Sequence, residues 1–410
     1  MTNPLQRHPK QDGRHTPNLW PVWLVAPCAL VAVGATAYGL YHGADTLLSS
    51  GATGGKPVSA QEVIKTTVTV LTLIGAVFAA LYAYRKQLID EGTSHRADAA
   101  QLTERYSKSA EQLGHEQAAV RLAGVYAMAR LADDWPEQRQ VCVDVLCAYL
   151  RMPYATNTTD PGFRHGEREV RLTIIRAIRD HLQEPAMKTT WCGRNLDFSG
   201  ATFDGCDLRG SMFVGGTVDF SGSTFSDGTI YFSGSTFSGG EVDFNGSTFS
   251  GGEVDFNGST FSGGEVDFSD SRFSGSEVDF RESTFSGGEV SFMSSQFTSG
   301  LILFSESRYY GGLVTFNAAH FEGGEVLFNS SLFSGSTVDF SSSTYSGGEV
   351  YLEDSSFSGS EIDFEGSQFI RGEVSFRNST HESGTVNFQR VSVDAGATIH
   401  WGPLPAISAN

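Results

Sequence analysis

Apolar positions recur along this chain in three successive rhythms. The first is unbroken. Leu19 to Tyr41 and Thr66 to Tyr84 are runs without a charged residue, each close to the roughly 20 residues a helix needs to cross a hydrocarbon layer. Trp20, Trp23, Tyr38, Tyr41, Tyr82 and Tyr84 stand near their ends, where amphipathic rings favour the headgroup region. The runs predict transmembrane helices over 19–41 and 66–84, joined by a short external loop, 42–65. A cleaved signal peptide does not fit the first run, which is too long, lacks a small-residue cleavage site and is followed by a second span. Arg7, Lys10 and Arg14 precede the first run, and Arg85, Lys86 and Arg96 follow the second. The loop holds only Lys56 and Lys65 against Asp45 and Glu62. This bias predicts a two-span protein of the cell membrane with both termini in the cytoplasm: an arm over 1–18, and everything after Arg85.

The second rhythm is helical and fills 85–190. Leu102, Tyr106, Ala110 and Leu113 recur at spacings of three and four, an amphipathic stripe. Glu116 to Asp133 and Val141 to Met152 predict further helices, with a turn-rich loop over 154–165. Val120-Arg121-Leu122 returns as Val170-Arg171-Leu172. That echo resembles a HEAT-like helical pair, and a small helical bundle is the alternative. Cys142 and Cys147 lie five residues apart, about 140° around a helix, so they read as separate buried thiols. His115, His165 and His181 have no partner at a metal-binding spacing and read as surface or capping residues.

The third rhythm occupies 191–401, before a short tail, 402–410. It opens in fives, with Phe198, Phe203, Leu208 and Phe213 at the centres, and from Val218 the period becomes twelve. Phe225, Phe237, Phe249, Phe261, Phe273 and Phe285 begin one column. Val242, Val254 and Val266 belong to a second, and Phe244, Phe256 and Phe268 to a third. Val-Asp-Phe alternates in, out, in, the period of a strand, and Gly-Gly, Asn-Gly and Ser-Gly supply tight corners. No single unit buries its Phe and Val alone, but stacked units do, which predicts a parallel β-solenoid. Two coils satisfy the spacing: a four-sided coil of 24 residues or a flatter one of 12. The larger gives Phe more room and seven or eight coils.

"ATFDG", "CDLRG" and "SMFVG" resemble the pentapeptide-repeat family. The resemblance implies a right-handed quadrilateral β-helix, expanded from residue 218 onward into 12-residue units. With the two spans and the helical segment, the whole chain resembles bacterial membrane-anchored pentapeptide-repeat proteins. Some members bind DNA gyrase by imitating the charge of DNA, so the resemblance raises that role here.

Composition sharpens the picture. Of 30 Phe, 28 lie between Phe198 and Phe388. From residue 195 onward there are 29 acidic and 7 basic residues, net −22, and the first 194 residues carry 18 acidic and 21 basic. Large apolar residues exclude a disordered acidic tail, and the charge argues against direct nucleic-acid binding. Five Cys at 28, 142, 147, 192 and 206 suit a reducing compartment. The outward acids Glu241, Asp243, Glu253, Asp255, Glu265, Asp267, Glu277 and Asp279 are the candidate interaction surface. Stacking brings like charges to about 5 Å, or about 10 Å if every second unit shares a face. They serve a solubilising surface, a docking surface for a basic protein partner, or weak divalent-cation binding. No phosphate-cradling loop, nucleophile triad or isolated carboxylate pair appears. The expectation is a non-enzymatic scaffold with no cofactor, metal or small-molecule substrate, whose partners are the bilayer, another protein and a second copy of itself. The alternatives are a DNA-mimicking regulator of an enzyme such as gyrase and, with the opposite topology, a cell-surface adhesin.

Overall fold

The computed structural model describes residues 31, 34–40, 42, 43, 46, 60–226 and 228–404. Two compact units divide the chain, 1–99 and 100–410. In the first, the arm over 1–18 and most of the expected span over 19–41 and of the loop over 42–65 lie outside the described residues. Among the described residues one stretch is long and apolar enough to cross a membrane by length and composition. It is Thr67–Gln87, and none of it is buried. It belongs to a helix, α1, that runs Ala60–Leu113. The sequence predicts a span that ends at Tyr84 and a separate helical segment from residue 85. The structure carries one helix through, since no Pro and only Gly92 interrupts that stretch.

In the second unit, α2 (Ala118–Asp134), α3 (Arg139–Arg151) and α4 (Glu167–His181) follow. Helix was expected as far as residue 190, but it ends at His181, and residues 182–195 form turns around Pro185. The repeated Val-Arg-Leu has a physical counterpart. Arg121 and Arg171 are both buried. Arg121 donates to the carbonyls of His115 and Glu116, and Arg171 to those of Leu150 and Thr202. Arg121 thereby satisfies carbonyls of the link that precedes its helix, and Arg171 an open carbonyl at the end of α3. The Thr202 bond also ties the helices to the first coil.

The solenoid is built from four parallel ladders. Along the first, Leu196 pairs with Val218, Val218 with Val242, and Val242 with Val266. The second carries Phe203, Phe225, Phe249 and Phe273. The third carries Cys206, Ile230, Val254 and Val278, and the fourth Phe213, Phe237, Phe261 and Phe285. The neighbour of each residue is therefore 24 positions away, two 12-residue units per coil, after a first coil 22 residues long (Leu196 to Val218). About eight turns stack this way.

Inside, rings stack on rings. Phe244 lies 4.6 Å from Phe268, and Phe237 4.8 Å from Phe261, both nearly parallel. The columns of Phe244 and Phe256 meet edge to face at 6.3 Å and 86°, the offset aromatic pairs favour. Corners close in two ways. A Cβ at Gly312, φ +79°, would sit 2.7 Å from the Gly288 carbonyl oxygen, so only Gly fits there. At the other corner a buried serine column links successive coils. Ser271 Oγ donates to the Phe244 carbonyl at 2.8 Å and accepts the Ser247 N–H at 3.2 Å.

Candidate functional site

The candidate core columns, Phe225, Phe237, Phe249, Phe261, Phe273, Phe285, Val242, Val254, Val266, Phe244, Phe256 and Phe268, are all buried. The eight candidate acids divide between two ladders. Glu241, Asp243, Glu265 and Asp267 belong to the first, and Glu253, Asp255, Glu277 and Asp279 to the third. They do not form one surface. Because register partners are 24 residues apart and directly paired, like charges stand at the ladder spacing of about 4.8 Å. The wider spacing of about 10 Å does not occur.

Asp and Glu play different parts. Each Asp closes the corner that follows its strand: its Oδ1 accepts the N–H two residues on, at 2.7 Å in Asp243, 2.8 Å in Asp255 and 2.8 Å in Asp267. These are Asx turns, in which an Asp side chain bonds the backbone two residues on. The corner uses Oδ1 and leaves Oδ2 facing outward. Glu241, Glu253, Glu265 and Glu289 start their strands, Glu277 lies within one, and none of these side chains accepts a hydrogen bond among the described residues.

Asp279 departs from expectation. It was read as an outward acid, yet its side chain is 4% exposed, because Arg281 folds back onto it at 2.6 Å. With Glu253 and Glu277 it forms a group of carboxylates within 4.8 Å of one another. Arg281 already occupies that group, so it reads as an ion pair beside two stacked glutamates.

Burial and like charge raise three of these carboxylates. Burial, and then Glu289, Asp267 and Glu241, hold Glu265 above the usual carboxylate range. Burial, then Asp219 and Asp267, raise Asp243 against the opposing bond from Asn245. Burial and Glu277 raise Glu253. Beside Glu241, Glu265 and Glu289 runs an open trough floored by Gly240, Gly264, Gly288 and Gly312 and ending at Leu313.

The helices make contacts with the first coil that sequence spacing did not reveal. Arg151 pairs with Asp197, Arg168 with Asp204 at 3.0 Å, and Arg179 with Asp207 at 2.6 Å. His181, read as a surface or capping residue, is half-buried. It stacks on Trp191 at 4.2 Å, with Nε2 3.1 Å from Asp133. Partners this far apart in sequence leave no local signature. Cys142 and Cys147 are buried free thiols that burial pushes up to about 11 and 12.

Residues 214–260 match the family model described as pentapeptide repeats (9 copies). No curated protein and no solved structure matches the chain. The family match and the four-ladder β-solenoid together support a pentapeptide-repeat protein.

Proposed function

We propose that this chain is a membrane-tethered, non-enzymatic interaction module that presents its acidic solenoid in the cytoplasm to a basic protein partner, through an expanded 12-residue form of the pentapeptide repeat. A pentapeptide-repeat β-solenoid is consistent with a non-enzymatic interaction role. One observation carries the reading. On four consecutive rungs of the first ladder, Asp219, Glu241, Asp243, Glu265, Asp267 and Glu289 stand without a cationic side chain paired to any of them among the described residues. Like charges at this spacing destabilise a fold, and a bound cationic surface relieves them. Thr67–Gln87, together with the basic residues that follow it, supports the tether.

Photo-crosslinking in cells tests the interaction, with the crosslinker at position 265 or, as control, at outward Thr248 on the second ladder. The expected result is a protein adduct at 265 that disappears when Glu241 and Glu289 are changed to Gln. Equal adducts at both positions, or none, refute the reading. Topology is tested with Ser286→Cys, an exposed corner position, and an impermeant thiol reagent. Labelling in intact cells would overturn the cytoplasmic placement and favour the adhesin alternative.

The same rungs favour a second reading, DNA mimicry. Six carboxylates on four rungs give one charge per about 3.2 Å, against about 1.7 Å along duplex DNA. Gyrase supercoiling that proceeds unhindered at low salt in the presence of the purified chain would remove that reading.

A further inference from the structure

The chain already shows what its aspartate columns bind. At three rungs an arginine is within reach, and at each it meets the Oδ2 of the aspartate whose Oδ1 holds the corner. Asp197 Oδ1 accepts the Ser199 N–H at 3.1 Å while Oδ2 takes Arg151 of α3. Asp207 Oδ1 accepts the Arg209 N–H at 3.3 Å while Oδ2 takes Arg179 of α4 at 2.6 Å. Asp279 Oδ1 accepts the Arg281 N–H at 2.8 Å while Oδ2 takes the Arg281 guanidinium at 2.6 Å. Oδ2 holds a guanidinium in all three, and in Asp207 and Asp279 the corner oxygen also accepts from Arg209 or Arg281 Nε, at 3.0 and 2.9 Å. Two of those arginines arrive on helices that pack against the first coil.

Asp219, Asp243 and Asp267 continue the column that Asp197 begins, in direct register. Their Oδ1 atoms hold the same corners, at 2.8, 2.7 and 2.8 Å, and no guanidinium meets their Oδ2 atoms among the described residues. Glu241, Glu265 and Glu289 flank them. We infer that this face of the first ladder is a docking surface for an arginine-bearing helix of a partner protein, lying along the coil axis as a continuation of the contact that α3 makes with Asp197. The inference deepens the interaction role proposed above and rests on it.

Spacing selects a helix. Rungs lie about 4.8 and 9.6 Å apart, and helical residues i, i+3 and i+7 stand about 4.5 and 10.5 Å apart along their axis. An extended segment presents same-face residues about 6.7 Å apart and falls out of step within two rungs. Geometry also selects arginine. Its planar fork bridges a carboxylate with two parallel donors, where lysine offers a point charge. The floor of backbone glycines beside the glutamates leaves room for the occupant.

The test is fluorescence anisotropy with the full chain in detergent micelles and labelled Ala/Gln-rich helical peptides at low salt. One peptide carries Arg at i, i+3 and i+7. A second carries Lys at those positions, and a third carries Arg at i, i+5 and i+10, on three different faces. Changing Glu241, Glu265 and Glu289 to Gln disturbs no hydrogen bond of the described structure. It should weaken the first peptide about tenfold, while Glu253→Gln with Glu277→Gln changes it less than about twofold. The Lys and three-face peptides should bind at least about fivefold more weakly. Equal loss from both ladders, or equal binding of the three peptides, overturns the helix-docking inference and leaves the acidic interaction role standing. Absence of binding by every cationic peptide overturns both.

Discussion

Replacing Phe268 by Ala should be among the most damaging single changes in the solenoid. The ring is fully buried. It stacks on Phe244 at 4.6 Å and on Phe292 at 4.9 Å, and meets Phe256 and Phe280 edge to face at 6.0 and 6.1 Å. Phe249 and Phe273 touch it at a tilt. Truncating a buried Phe costs about 3–5 kcal/mol. Six ring partners place this site at the upper end, because each well-oriented pair adds about 0.5–1.5 kcal/mol beyond area. The neighbouring rungs are fixed by backbone ladders on two other sides, so the cavity has little freedom to collapse. A loss of about 5 kcal/mol corresponds to a fall in melting temperature of about 10 °C or more for a domain this size. The chain supplies its own control. Leu352 takes the place of a Phe between Phe328 and Phe376 and is also fully buried, so Phe268→Leu should cost about 1–2 kcal/mol. Thermal melts of the detergent-solubilised chain, followed by near-ultraviolet circular dichroism, read both variants. A drop of less than about 3 °C for Phe268→Ala, or an equal drop for Leu, would refute stacking as the source of stability.

Three other expectations follow from corners and charges. Ala318 sits at φ +56° in a corner where earlier coils place Gly222, Gly234, Gly246 and Gly258, so Ala318→Gly should raise stability by about 0.5–1 kcal/mol, with strain relief exceeding the added chain entropy; a destabilised variant in a denaturant titration refutes this. Ser271→Ala removes the acceptor for the Ser247 N–H and should cost about 1–2 kcal/mol. Ala319 occupies the same column without a hydroxyl, so Ala319→Ser should go the other way; parallel changes in the two melts would sink the serine-ladder account. Finally, Asp243, Glu253 and Glu265 are held above their ordinary values of 3.8, 4.5 and 4.5 by burial and like charge. Raised carboxylates favour the protonated folded state, so their contribution is present below those values and is lost as pH rises through the higher folded ones. The wild-type chain should therefore lose stability across the range just above pH 4.5 more steeply than the variant with Glu253 and Glu265 changed to Gln. Identical pH profiles would contradict the shifts.

The sequence discloses the inward half of this molecule far better than the outward half. Val218 to Val386 and Phe225 to Phe369 repeat at twelve because each must fill the same hole in successive layers, and burial enforces that rule position by position. Whether a coil holds one unit or two depends on which residue lies across the ladder. No local pattern encodes that, and the pairing of Phe249 with Phe273 supplies it. Surface residues obey a looser rule. Asp255 and Asp279 occupy the same column, yet one stays partly open and the other is covered, because residue 257 is Asn and residue 281 is Arg. The contacts of Arg151, Arg168 and Arg179 with the first coil join residues 28 to 46 positions apart, which only the assembled helices bring together.

The acidic columns then have a cause that neither solubility nor recognition alone supplies. Where a rung carries Asp, its side chain makes the Asx bond to the next corner. Ser291 and Thr315 make the same bond from a hydroxyl, while Leu303 and Leu327 hold the equivalent position on the third ladder without one. Glu makes no corner bond, and position 241 and its equivalents are occupied by Thr217, Leu313 and Thr337 on other rungs of the same ladder. The glutamates are therefore the discretionary charges, and they cluster at 241, 265 and 289 on consecutive rungs without a cation among them. A surface selected only to stay soluble would gain by spreading them among the rungs and lowering their mutual repulsion. Concentrating them raises the electrostatic stress on one face, and a partner's cations are what would turn that stress into binding energy.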